Sequence, residues 1–341
     1  MPHYQLSLAG FGNVGQALAR LLLRKRSLLE SSYSIRFSIT GIATGRHGTA
    51  IHPDGLDIEK ALDLAARGEN LAVLSKIPAP TSVIDFIREC PAQVLFENSP
   101  VNHHTGQPAV DHLKTALARG MHAITANKGP VVHAYAELQA LAAANGARFL
   151  FESTVMDGAP IFSLFRGPLP AVELTGFFGI LNSCTNLILG LMEQGQTFEQ
   201  AVEYARSIGI TETDPSADVD GWDAAIKVAA LATVLMGIPT TPAEIDRTGI
   251  RAIQPAEIAA GLTAGRRWKL VCSARRTRDG LDARVAPQLV DAASPLYSIN
   301  GTSSYVQFEM DTLPGLGIVE SNPGPVTTAY GLLADFINAV K

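Results

Sequence analysis

Tyr4-Gln5-Leu6-Ser7-Leu8-Ala9-Gly10-Phe11-Gly12-Asn13-Val14-Gly15 opens the chain, and the reading of this stretch decides the fold. Residues 4–9 alternate in part, as a strand does, and stop at a glycine. Gly10, Gly12 and Gly15 fit G-x-G-x-x-G, and apolar residues at helical spacing continue from Val14 to about Leu29. Strand, glycine turn and helix in that order is the context in which the pattern binds a dinucleotide. The first glycine permits the tight turn and the second lets backbone approach a pyrophosphate. The third lets helix pack closely on strand, with the helix N-terminus facing the anion. Phe11, Asn13 and Val14 belong to the same turn and are counted among the cofactor contacts. The bland alternative, a plain glycine turn, fits this position less well.

Further strands and helices alternate outward from that turn. Ile35–Ala43, Val94–Phe96, His122–Thr125 and Arg148–Ser153 read as strands, and Ala109–Arg119 and Val132–Asn145 as helices. The alternation predicts an α/β fold with a Rossmann-type doubly wound parallel sheet. Past about residue 155 the texture changes. Val172–Leu181, Trp268–Ser273, Ala283–Val290 and Ser304–Met310 read as strands, and Thr185–Glu193, Phe198–Ile208 and Gly221–Met236 as helices. Thr197 and Gln200 have the spacing of a capping box. This second part reads as an α+β catalytic and dimerisation domain with a mixed sheet. The expected division is an NAD(P)-binding domain over residues 1–150, completed by a C-terminal helix within 318–341, and a substrate and dimerisation domain over 151–317.

The end of the second strand bears on the cofactor. An acidic residue there would accept from the adenosine ribose, but the chain reads Gly41-Ile42-Ala43-Thr44-Gly45-Arg46-His47. Thr44 and Arg46 could hold a 2′-phosphate, which favours NADP and leaves NAD as the second reading. Arg46 as a plain exposed loop cation stays equally open. Asn98 and Ser99, just past the strand ending at Phe96, are counted with the cofactor contacts.

Composition narrows the function. The formal net charge is −5, with 47% hydrophobic and 17% charged residues. No basic excess is present to displace counterions from a nucleic acid. The three scattered cysteines, Cys90, Cys184 and Cys272, make no disulfide framework and suit a reducing compartment. The N-terminus does not read as a signal peptide, and no stretch has the apolar length of a membrane span. The expectation is a cytoplasmic protein acting on a small molecule, with neither nucleic acid nor membrane as partner.

The most informative helix is Gly221–Met236, apolar nearly all round with only Asp223 and Lys227 charged. Four residues apart, they share one face. Burying them is costly unless they pair, and a buried lysine is a plausible proton donor or acceptor. An ordinary surface ion pair is the competing reading, which the apolar surroundings disfavour. Just upstream, Glu212, Asp214, Asp218 and Asp220 form a loop-like acidic cluster. It could bind a substrate ammonium or a metal, or simply flank a helix N-terminus; spacing leaves these readings open.

The stretch Ala205–Lys227 resembles the signature of the homoserine dehydrogenases over its whole length. Thr125-Ala126-Asn127-Lys128-Gly129-Pro130 is similar to a second motif of that family, and Glu152–Pro160 to a third. The order of motifs is kept from the glycine turn to the C-terminal helix. The resemblance implies reversible reduction of L-aspartate 4-semialdehyde to L-homoserine by NAD(P)H. It also implies catalytic roles for Lys227 and Lys128, with Asp223 orienting Lys227 or the substrate hydroxyl. By the same resemblance Glu212 and Asp218 hold the amino end, with Asn182 and Cys184 near the substrate. Glu152, Val155, Asp157 and Ala159 match the family's monovalent cation site, for sodium, and the assembly implied is a homodimer. A purely structural turn remains equally open for that segment. The chain ends soon after its last helix, so a threonine-responsive regulatory domain or a fused kinase is not expected.

One departure stands out. Where the family has Asn-Gly-Thr, this chain has Asn182-Ser183-Cys184. Cysteine is a poorer donor than threonine, and the hydroxymethyl of Ser183 could narrow the pocket. A covalent role for Cys184 is the weaker reading beside that of a small buried thiol. The departure motivates one alternative, a related dehydrogenase for another short hydroxy or oxo acid. A second alternative is a non-catalytic NADP-binding protein. Lys128, Asp223 and Lys227 together argue against it, since a sensor needs none of them.

Overall fold

The opening strand β1 (His3–Ala9) runs into Gly10, and α1 (Asn13–Tyr33) starts three residues later. The computed structural model describes residues 1–341 except Ala79 and Glu212. It divides into two compact units, residues 1–160 with 324–341, and residues 161–323. The division falls after Pro160 and Pro323, several residues beyond the positions at which the texture of the sequence changes.

In the first unit β1 is followed by β2 (Arg36–Ala43), β3 (Thr49–Ile51), α2 (Ile58–Ala66), α3 (Val83–Glu89) and β4 (Val94–Glu97). Then come α4 (Ala109–Ala118), β5 (His122–Thr125), α5 (Lys128–His133), α6 (Tyr135–Ala144) and β6 (Phe149–Leu150). The six strands lie in the order β3-β2-β1-β4-β5-β6. All neighbours are parallel except β3, which pairs antiparallel with β2 at the edge. The chain leaves β1 toward β2 on one side and reaches β4 on the other. The turns after β1 and β4 therefore flank the switch point where such sheets bind ligands.

The second unit contains α7 (Ile161–Arg166), β7 (Leu174–Ile180), α8 (Ser183–Glu193), α9 (Phe198–Ser207), α10 (Ser216–Val219) and α11 (Trp222–Leu235). It continues through β8 (Asp246–Arg247), α12 (Pro255–Thr263), β9 (Arg266–Thr277), β10 (Gly280–Asp291), β11 (Ser304–Met310) and β12 (Leu316–Glu320). Its sheet has the order β12-β11-β7-β9-β10-β8 and is antiparallel except where β10 meets β8. The long β9–β10 hairpin turns at Arg278-Asp279-Gly280, where Gly280 takes a φ of +137°. A small cluster of Ile180, Val271, Val290, Leu296, Ile299 and Tyr305 forms one core patch.

The chain re-enters the first unit as α13 (Pro325–Val340). With α1 it covers one side of that unit's sheet, where Phe336 packs edge-on against Phe96 and Tyr4. Phe86, Ile87, Cys90 and Ala116, from α3, α4 and the turn between α3 and β4, form a second core patch with Leu95. Burying such side chains contributes about 1.5–3 kcal/mol each.

Local chemistry explains where the elements differ from the periodicity. The single helix read over Val132–Asn145 is two, broken at Ala134 (φ −141°, ψ 16°). The first begins earlier because Asn127 caps it by accepting from Gly129 N at 3.0 Å. The strand read over Arg148–Ser153 shortens to two residues, because Glu152–Thr154 turn into a 3₁₀ helix. The box at Thr197 and Gln200 is formed in both directions. Residues 316–320 pair with β11 as a strand, and the final helix runs over Pro325–Val340. Among the described residues no helix is long and apolar enough to cross a membrane.

Candidate cofactor and substrate sites

In the first unit the site is made largely of backbone. Gly10 has φ +102°, and a Cβ there would sit 2.4 Å from Asn98 O. A Cβ on Gly15 would sit 2.5 Å from Gly10 O. Helix α1 therefore lies against its own turn as only glycines allow. Gly12 is different, since nothing among the described residues lies within 4 Å of an added Cβ. It is the N-cap of α1 and offers no side chain to the first-turn N–H groups, which leaves them for an anion. Phe11 is buried in the core and Val14 packs against it, so these two serve the turn from inside; Asn13 is exposed.

The neighbouring turn after β4 is polar. Glu97 is fully buried and accepts from Ser99 N at 3.2 Å, from the Ser99 hydroxyl and from Thr125 Oγ1 at 3.2 Å. His112 Nδ1 lies 3.2 Å from the same carboxylate. Asn98 follows, and among the described residues neither its amide nitrogen nor its amide oxygen has a hydrogen-bond partner although both atoms are buried. An orphaned carboxamide of this kind costs free energy unless a ligand completes it. Asn127 Nδ2 donates to Ser99 O at 3.2 Å and so ties the turn before Lys128 to this one. Lys128 is the first residue of α5. At the end of β2, Thr44 Oγ1 accepts from His47 N at 2.6 Å, and Arg46 is exposed on the same turn. Open space at Gly12, the uncapped helix and the orphaned Asn98 amide all fit a dinucleotide.

Glu152, Val155, Asp157 and Ala159 lie in one tight segment of the first unit. Glu152 N donates to Asp335 Oδ2 at 2.7 Å and Ser153 Oγ to Thr328 O at 2.7 Å. Asp157 has φ +37° and accepts from Thr327 Oγ1 at 2.8 Å. Among the described residues no group of three or more His, Cys, Asp or Glu side chains could hold a metal ion.

In the second unit the site is made of side chains. Lys227 Nζ lies 3.1 Å from Asp223 Oδ2 and donates to Leu181 O at 2.6 Å. The side chains of this pair are only 14% and 16% exposed, on a helix otherwise buried from Ala224 to Thr233 apart from Lys227. Asn182 caps α8 by accepting from Thr185 N at 2.8 Å, and its Nδ2 donates to Asp218 Oδ1 at 2.7 Å and to Asp223 Oδ2 at 3.0 Å. Thr211 Oγ1 donates to Asp218 Oδ2 at 2.7 Å. Burial, reinforced by the nearby Asp223 charge, pushes the Asp218 carboxyl above the usual range. Cys184 is buried beside Asp218 and Thr211, and burial raises its thiol far out of the reactive range.

The acidic cluster therefore divides. Asp218 turns inward, Asp220 pairs with Arg251 at the surface, and Asp214 accepts from Ser216 N at 3.0 Å. Glu212 lies outside the described residues. Thr211, Glu97 and the Leu181 carbonyl went unremarked in the sequence. A carboxylate ending the apolar run Val94-Leu95-Phe96 was a readable signal for Glu97. A backbone carbonyl such as that of Leu181 leaves no signal at all.

A family model described as homoserine dehydrogenase matches residues 160–337, and one described as homoserine dehydrogenase, NAD binding domain, matches residues 10–152. The chain is 34% identical over 344 residues to an NAD(+)-dependent homoserine dehydrogenase of Pseudomonas canavaninivorans, covering 99% of this chain and 96% of that one. It is 35% identical over 332 residues to a homoserine dehydrogenase of Methanocaldococcus jannaschii, covering 97% of each. Among solved structures it is similar to a putative homoserine dehydrogenase of Archaeoglobus fulgidus (TM-score 0.86, 29% identity, 98% of each chain). It is also similar to a hyperthermophilic archaeal homoserine dehydrogenase in complex with NADPH (TM-score 0.84, 28% identity, 99% of this chain and 98% of that one).

Proposed function

The chain belongs to the homoserine dehydrogenase family, and from that premise we propose how its residues divide the interconversion of L-aspartate 4-semialdehyde and L-homoserine. It is an NAD(P)-dependent oxidoreductase acting on a CH–OH group. The observation that carries the division of labour is the Lys227 ammonium, mostly buried and fixed by Asp223 and the Leu181 carbonyl.

A bound nicotinamide supplies the hydride in one direction and accepts it in the other. The proton and the developing charge fall to the protein. Lys227 Nζ donates to the aldehyde oxygen and gives up a proton as that oxygen becomes an alkoxide; in the reverse direction it takes the proton from the alcohol. Asp223 keeps the amine oriented. Asp218, with Glu212, receives the substrate ammonium, and Asn182 spans Asp218 and Asp223 so that the two carboxylates keep their separate tasks. Cys184 shapes the pocket as a neutral thiol. Lys128 is the second catalytic lysine, on the cofactor side.

Gly10 to Gly15 cradle the pyrophosphate, while Asn98 and Ser99 complete the cofactor contacts. Thr44 and Arg46 favour NADP, and the absence of an acid in residues 41–47 supports the same choice. The oxygen donors of Glu152, Val155, Asp157 and Ala159 suit a hard monovalent cation, read here as sodium. The resemblance supports a homodimer, and three free, buried thiols support a reducing, cytoplasmic setting. The test is steady-state turnover, followed by nicotinamide absorbance, of homoserine and a panel of other short hydroxy acids with NADP and with NAD. Homoserine is expected to lead the panel and NADP to be the better cofactor. Negligible oxidation of homoserine would overturn the reading.

A further inference from the structure

Lys269, in β9, is only 1% exposed and takes no part in the chemistry above. Its Nζ donates to Asn186 Oδ1 at 2.9 Å and to Ile299 O at 2.5 Å. Asn186 Nδ2 in turn donates to the carbonyls of Ile299 (3.3 Å), Gly301 (3.0 Å) and Ser303 (3.3 Å). One amine and one amide therefore satisfy three carbonyls of the 299–303 loop. The loop borders a cleft of about 460 Å³, lined by Asn186, Lys269, Arg267, Tyr297 and Asn300 among others. Ile299 also packs in the apolar cluster with Ile180 and Leu296, and Arg267 Nη1 donates to Asn300 Oδ1 on the same loop. A further tie lies one residue on, where Ser183 Oγ and Ser304 Oγ are 3.3 Å apart.

A buried lysine is an expensive way to fill space, since methionine would fill similar volume without a charge to desolvate. Its value here is polar. Burial and the neighbouring Arg267 lower its pKa to about 8, against the opposing pull of Glu193. Either form of the amine can donate both bonds, so the tie persists through that titration. What it secures is α8. Asn186 lies one turn along the helix from Asn182, the N-cap whose amide reaches Asp218 and Asp223.

We propose that Lys269 is a positioning residue for the substrate pocket: through Asn186 it fastens the 299–303 loop to α8 and thereby fixes the turn from which Asn182 holds Asp218 and Asp223. The proposal rests on the reading of those carboxylates as substrate groups. The experiment compares wild type, Lys269→Met, Asn186→Ala and the double variant of the whole enzyme, by homoserine KM, kcat, NADPH affinity and melting temperature. Each single variant is expected to raise KM about tenfold, with kcat and NADPH affinity within about twofold, because pocket geometry and not the proton donor is disturbed. The double variant is expected to be no worse than the poorer single, because both side chains serve one tie. An unchanged KM in a folded variant, or additive losses, overturns the proposal, as does a lower melting temperature with unaltered kinetics. Should Lys269→Met not fold, the KM of Asn186→Ala decides between the same outcomes, because that variant leaves the lysine in place. A wild type without homoserine turnover overturns the functional reading instead.

Discussion

The turn at Gly10–Gly15 and the pocket around Asn182, Asp218 and Lys227 are built from opposite materials. The first has almost no side chains: two glycines are forced by close approaches of 2.4 and 2.5 Å, and a third opens onto empty space. The second is a set of mostly buried charges and amides, each within hydrogen-bond distance of the next. A backbone site is cheap to keep folded, because its dipoles are satisfied by a helix terminus and the ligand. A pocket of buried carboxylates carries a desolvation cost that its own amide, hydroxyl and ammonium partners offset. The contrast is between a turn whose geometry rests on backbone and a pocket whose geometry rests on paired side chains.

The sharpest way to break the comparison is at Lys227. Lys227→Met is expected to lower kcat by about a thousandfold through loss of the proton donor, with NADPH affinity within about twofold. Fluorescence titration of NADPH beside steady-state turnover checks both, and a loss of cofactor binding would contradict the separation of roles.

The glycine turn can be split within itself. Gly12→Val is expected to weaken NADPH about a hundredfold, roughly 2.7 kcal/mol, while the melting temperature stays put, because its Cβ meets nothing. Gly10→Ala is expected to lower the melting temperature by several degrees, since it forces both a left-handed φ and a clash with Asn98 O. Equal thermal losses in the two variants would show that the turn is not open at Gly12.

The smallest effect, and the most telling for the pocket, is at Asp218. Its carboxyl is raised in the folded protein, so its contribution to stability is complete below the unfolded pKa and is lost as pH rises through the folded one. Asp218→Asn removes that loss. It is expected to raise the melting temperature by a few degrees at neutral pH, with little change at strongly acid pH, while homoserine KM rises about tenfold. Calorimetry across pH with parallel kinetics checks the sign; a destabilised variant at neutral pH would show that the ionised carboxylate supports the fold.

Much of the first unit was legible because its signals are local. Glycine spacing, the apolar run of α1 and the short buried strands β4 and β5 each report on their own residues. The break at Ala134 and the early turn at Glu152 escaped, because a cap and a 3₁₀ turn override apolar periodicity. In the second unit Asp223 and Lys227 were legible as charges without a polar face to occupy. The partition of the acidic cluster was not: Asp214, Asp218 and Asp220 lie within seven residues, yet one turns inward and two lie toward solvent.

By itself the sequence determined the glycine turn between strand and helix, an apolar helix with one ion pair, and the order of strands and helices around them. These follow from neighbours along the chain, where a glycine or a helical period acts within a few residues. Tertiary structure alone decided which carboxylate is desolvated, which carbonyl receives the Lys227 amine and why a lysine is buried at position 269. Those outcomes depend on groups dozens of residues apart meeting in a medium of low dielectric, where the presence or absence of a partner sets the energy.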